Sequence, residues 1–124
     1  MPRRWPLLAL RTTTIAVAVL ALVQPVLAGG FLQGYYPLLK AHQIAAMILA
    51  TFVLLSVVAA LLAWRLSGVL ARIAVLYAVL LVLCAAQITL GFSRVLLIHI
   101  PLGVAIFALC EKFAVDAWKA GATA

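Results

Sequence analysis

The chain has 124 residues, 69% of them hydrophobic and 9% charged, whereas a soluble domain carries about 45–50% apolar and about 25% charged residues. At a mean hydropathy of +1.34 there is too little polar surface to coat a water-soluble particle, so a soluble globular domain is excluded. The net charge of +7 fits basic residues collected at the cytoplasmic ends of membrane helices. No Lys/Arg run with interleaved aromatics occurs, which excludes nucleic-acid binding.

Spanning about 30 Å of hydrocarbon takes about 20 helical residues. Stretches free of Asp, Glu, Lys and Arg cover 12–39, 41–64, 73–93 and 95–110. They predict an all-α integral membrane four-helix bundle, one domain over 1–124, with helices at about 12–30, 38–65, 69–92 and 95–118. The fourth stretch is the shortest, but Glu111 and Lys112 can snorkel and the apolar pattern resumes through Phe113, Ala114 and Val115.

The first segment also has the outline of a secretory signal, with an Arg-rich start, an apolar core and Val26-Leu27-Ala28 before Gly29. The internal repeat set out below requires this segment, so it is read as a retained first helix. In a four-pass arrangement Arg3, Arg4, Arg11, Arg65, Arg72, Lys112 and Lys119 fall on one side and only Lys40 and Arg94 on the other. This asymmetry predicts both termini in the cytoplasm. Trp5, Trp64 and Trp118 fall at the inner interface and Tyr35 and Tyr36 in the outer loop, as aromatic belts do. The expected setting is the lipid bilayer of a bacterial plasma membrane.

Cys84 and Cys110 stand 26 residues apart on different predicted helices, with no CxxC or CxxCH pattern. They are read as small buried packing residues.

The outer ends of helices one and three share a pattern. Gln24-Pro25-Val26-Leu27-Ala28-Gly29 and Gln87-Ile88-Thr89-Leu90-Gly91 each give Gln, then Leu three residues on, then Gly. Each is followed by a short loop with one basic residue, Lys40 or Arg94, and by a helix whose first turns carry His42 or His99. The chain thus reads as two copies of one helical hairpin. His42 lies two residues after Lys40 and His99 five after Arg94, so at 1.5 Å per residue the imidazoles differ in depth by about 4–5 Å.

An imidazole in lipid with unpaired ring nitrogens costs several kcal/mol, so intramembrane histidines face the bundle interior and carry function. Two neutral imidazoles on facing helices at one depth can supply both axial ligands of a haem iron. Ala46 and Gly103, each four residues beyond its histidine, leave room for a porphyrin. Propionates at that depth point toward Lys40 and Arg94. Gln24 and Gln87 are candidate hydrogen-bond donors to a propionate or a ligand; helix-to-helix bonding is the other reading of the same amides. A zinc site lacks Cys, Asp or Glu at that depth to complete four ligands.

Leu83-Cys84-Ala85-Ala86-Gln87-Ile88-Thr89-Leu90-Gly91 leading to His99, and Gln24 to Gly30 leading to His42, resemble one half of the haem A synthase family over most of residues 20–110. That family is two fused four-helix bundles with histidine pairs on the second and fourth helices of each half. The resemblance implies that His42 and His99 are a haem ligand pair. Leu39 stands where the family's catalytic half has an acidic residue, and residues 30–37 lack the family's loop cysteine pair. The resemblance therefore implies the scaffold without the hydroxylation chemistry. Small bacterial four-helix membrane proteins look similar too.

The expected function is a b-type haem membrane protein with one haem, passing electrons or holding haem, with a redox partner or a larger membrane complex beside it. Two strong axial ligands leave no open iron position for oxygen chemistry. The alternative is a cofactor-free accessory subunit of a larger complex. A proton-coupled multidrug transporter ranks last, because Glu111 and Asp116 sit only at the inner end.

Overall fold

The charge-free stretch that begins after Arg11 sets the expected start of the first helix near residue 12. In the computed structural model, which describes residues 3–120, that helix begins earlier: α1 runs Trp5–Leu32. Pro6 occupies the first turn, where a missing N–H costs nothing. The hydroxyls of Thr12, Thr13 and Thr14 donate to carbonyls of Ala9, Leu10 and Arg11 at 3.0–3.1 Å, so their polarity is absorbed within the helix. Arg11 does not end the helix either. Its Nη2 donates to the Trp118 carbonyl at 3.0 Å and its guanidinium lies 4.9 Å from the Trp118 ring centre, placing a cation on the C-terminal carbonyls of the last helix.

The other helices are α2 (Pro37–Ser67), α3 (Ala71–Phe92) and α4 (Leu96–Lys119), within two residues of expectation at each end. The shortest has 22 residues, about 33 Å at 1.5 Å per residue, enough to cross hydrocarbon. All four are long and apolar enough to span a membrane. Pro101 sits inside α4, at its sixth position.

Each helix packs on two neighbours in the cycle α1–α2–α3–α4–α1, and among the described residues neither diagonal pair touches through its backbone. This up-down-up-down square puts α2 and α4, the two histidine helices, opposite each other across the bundle axis. The core is built from Leu10, Val17, Val53, Tyr77, Leu80 and Cys110, and it narrows on small residues, Ala59, Ala60, Ala63, Ala74 and Ala117, that let helices approach closely. The outward faces are as apolar as the core: Leu97 is 89% exposed and Val26 68%. Large exposed apolar area on all sides is the signature of a lipid-solvated exterior.

The loops joining α1 to α2 and α3 to α4 mark one end of the bundle, here the loop end; the chain termini and the α2–α3 connection mark the terminal end. Both loop-end turns have the same hydrogen bonds. Gly34 N donates to Phe31 O at 2.9 Å and Tyr35 N to Gly30 O at 3.1 Å; Arg94 N donates to Gly91 O at 3.1 Å and Val95 N to Leu90 O at 3.0 Å. Each is a Schellman closure, with a left-handed residue just beyond the helix. That residue is Gly34 (φ 100°) in the first hairpin and Arg94 (φ 58°) in the second.

Candidate functional site: a histidine pair in an apolar cavity

The two turns give the hairpins a common origin. Gln24 lies ten residues before Gly34 and His42 eight after it, while Gln87 lies seven before Arg94 and His99 five after it. Each arm of the first hairpin is thus three residues longer. At 1.5 Å per residue its turn projects about 4.5 Å further along the axis, which leaves Gln24 and Gln87, and His42 and His99, at matching heights.

The histidines are held in the same way. His42 Nδ1 contacts the Gln24 main-chain carbonyl at 3.2 Å, and His99 Nδ1 contacts the Gln87 carbonyl at 2.9 Å. A carbonyl only accepts, so each Nδ1 carries the proton and donates. In a neutral imidazole Nε2 is then the bare nitrogen with a lone pair. Both rings are half-buried, and their centroids stand 6.3 Å apart at an interplanar angle of 75°. The sequence suggests only a side-chain role for the glutamines, whereas their backbone carbonyls anchor the pair.

Gln87 adds a further bond. Its Nε2 donates to the His99 main-chain carbonyl at 2.9 Å and lies 3.4 Å from His99 Nε2, so the amide sits beside the lone pair. Two glycines make this packing possible. A methyl at Gly91 would lie 2.8 Å from His99 Cε1, and one at Gly103 would lie 2.7 Å from Gln87 Nε2. The space expected above Gly103 is therefore shared with the Gln87 amide. In the first hairpin the residue four after Gln24 is Ala28, and the close approach falls instead to Gly30, against Leu38.

Both histidines line a cavity of about 440 Å³, within the range of ligand pockets. Ala21, Gln24, Pro25 and Ala28 of α1 line one side, Cys84, Gln87 and Ile88 of α3 the other, with His42 and Ala46 of α2 and His99 and Gly103 of α4 across the middle. The wall is apolar, yet two buried polar atoms of its lining residues have no partner, Gln24 Nε2 and Gln87 Oε1. Unsatisfied buried amides in an apolar setting call for a ligand or water. Lys40 and Arg94 do not line the cavity; both are exposed at the loop end. Ala21, Ala28 and Cys84 went unnamed as site residues. The signal for Cys84 and Ala28 was available, since they stand three before Gln87 and four after Gln24 on the same helical faces.

Cys84 and Cys110 are buried free thiols. Among the described residues no three His, Cys, Asp or Glu side chains gather as a metal set; two imidazoles on opposite helices meet at the cavity. Comparison with protein-family models, with characterised proteins and with solved structures finds no match for this chain.

Proposed function

We propose that this protein holds one haem b between α2 and α4, with His42 and His99 as its two axial ligands. The observation that carries the reading is the separation of the rings. Two metal–imidazole bonds of about 2.0–2.1 Å, plus about 1.2 Å from each ring centre to its nitrogen, would place the centroids of two rings facing one metal about 6.4–6.6 Å apart. The pair stands at 6.3 Å. The donated Nδ1 protons set each ring's tautomer and orientation, as partners behind metal-bound histidines do. The cavity walls are apolar, and the unpartnered Gln24 Nε2 and Gln87 Oε1 offer hydrogen bonds to a bound ligand.

When bound, the haem supplies one-electron exchange, so the function is electron transfer or haem holding in the membrane. Lys40 and Arg94 are the cations at the loop end and would pair with any carboxylates exposed there. The cytoplasmic placement of both termini, in a bacterial plasma membrane, belongs to the same proposal, on the strength of the charge asymmetry. The test is a reduced-minus-oxidised spectrum of the protein purified from haem-replete cells. A sharp α-band is expected in the wild type and its loss in His42→Ala and in His99→Ala. Absence of the band in folded wild-type protein favours the cofactor-free accessory subunit.

A further inference from the structure

A second cleft lies between α3 and α4 at the terminal end, well away from the histidines. It measures about 330 Å³ and is lined by Leu70, Arg72, Ile73, Lys112, Asp116 and Lys119, among others. Three cations face one carboxylate there, and the carboxylate is already committed, with Asp116 Oδ2 at 2.5 Å from Lys112 Nζ. Among the described residues the side chains of Arg72 and Lys119 make no hydrogen bond or ion pair, whereas Arg11 and Arg65 at the same end rest on Trp118 and Trp64. The N-terminus of α3 opens onto the cleft with no capping side chain and no acid in its first turn, which adds its own positive end to the field. The floor is apolar, formed by Tyr77 and Phe113 packed edge to face at 5.3 Å, and Leu70 stands 71% exposed at the rim. The α3–α4 contact is the least extensive of the four.

We propose that this cleft binds the phosphate headgroup of an anionic phospholipid, with Arg72 and Lys119 on the phosphate and an acyl chain along the α3–α4 groove. Basic pockets between membrane helices suit anionic headgroups, and each nearby Lys or Arg strengthens binding. The charge selects the anion and the groove selects a lipid over a free phosphate.

The test uses the full chain in neutral detergent, with lipid binding followed by native mass spectrometry. Phosphatidylglycerol is expected to bind at least about tenfold more tightly than phosphatidylcholine. Arg72→Gln and Lys119→Gln should each weaken phosphatidylglycerol about fivefold, and the pair about 25-fold; phosphatidylcholine binding and the helical circular-dichroism signal should be unchanged. Arg65→Gln, at the same end but outside the cleft, should bind as the wild type does. Equal affinity for the two lipids, or undiminished phosphatidylglycerol binding in both single variants, overturns the proposal. So does inorganic phosphate that binds as tightly as the lipid, since the site would then be one for a free anion.

Discussion

At the scale of single residues, the sharpest demand in the site falls on Gly91. His99 is tied to the Gln87 carbonyl through Nδ1, so its ring cannot swing aside without breaking that bond. A methyl at Gly91 meets the ring at 2.8 Å, while at Gly29 it meets nothing within 4 Å. We expect Gly91→Ala to cost about 1–3 kcal/mol, the range of an overpacked contact, and to weaken any haem α-band. Gly29→Ala, in the interior of the same kind of helix, should gain about 0.5–1 kcal/mol. Unfolding of both variants in mixed micelles, followed by circular dichroism, checks the pair, and similar losses in the two would remove the special role of Gly91. Gln87→Leu tests the amide beside the histidine. It removes the donor to the His99 carbonyl but keeps the Gln87 main-chain carbonyl that accepts from Nδ1. If His99 is a ligand, haem affinity should therefore fall, by less than the roughly 10–100-fold that follows loss of a partner behind a metal-bound histidine. Retention of full haem occupancy on titration would remove Gln87 from the site.

At the scale of elements, the hairpins are alike in closure and unlike in length. The left-handed position is natural for Gly34 and strained for Arg94, where a side chain costs about 1–2 kcal/mol. Arg94→Gly should therefore raise the unfolding free energy by about 1 kcal/mol and Gly34→Ala lower it by a similar amount. Opposite shifts in the unfolding midpoint are the expected result, and parallel shifts would contradict the Schellman closure. The closure also explains how much of the repeat was readable. The Gln-to-Gly pattern and the two histidines reveal the duplication, because side chains are written in the sequence. The three-residue difference in each arm is hidden, because the landmark it is counted from is a backbone angle that glycine adopts in one copy and arginine in the other. The early start of α1 was hidden for a related reason. A charge-free window ends at Arg11 by construction, whereas the helix continues because Arg11 finds carbonyls on α4 to bind.

At the scale of the whole molecule, the exterior is solvated as a membrane protein's is, and the charges lie at its two ends. If seven cations at the terminal end set the topology, a periplasmic-active reporter such as alkaline phosphatase should work when inserted after Gly34 or Ser93 and stay inactive when fused at the C-terminus or after Gly68. The reverse pattern of activity would invert the orientation and place the histidine cavity near the cytoplasmic face. The square packing has its own consequence. Because α2 and α4 are diagonal, the space between them is filled by side chains alone, and where these are His, Ala and Gly it stays open.

The sequence by itself determined that the chain crosses a lipid phase four times and that its two histidines belong to equivalent places in a doubled hairpin. Apolar length and side-chain identity are local properties, so they survive without coordinates. Only the tertiary structure decided that the histidine helices are diagonal rather than adjacent, and that the rings stand 6.3 Å apart. It also decided that Gln24 and Gln87 hold the histidines through their main-chain carbonyls, with the Gln87 amide donating to the His99 carbonyl. Those outcomes depend on which helices neighbour which and on how closely glycine lets them approach, and both are set by packing across the bundle rather than along the chain.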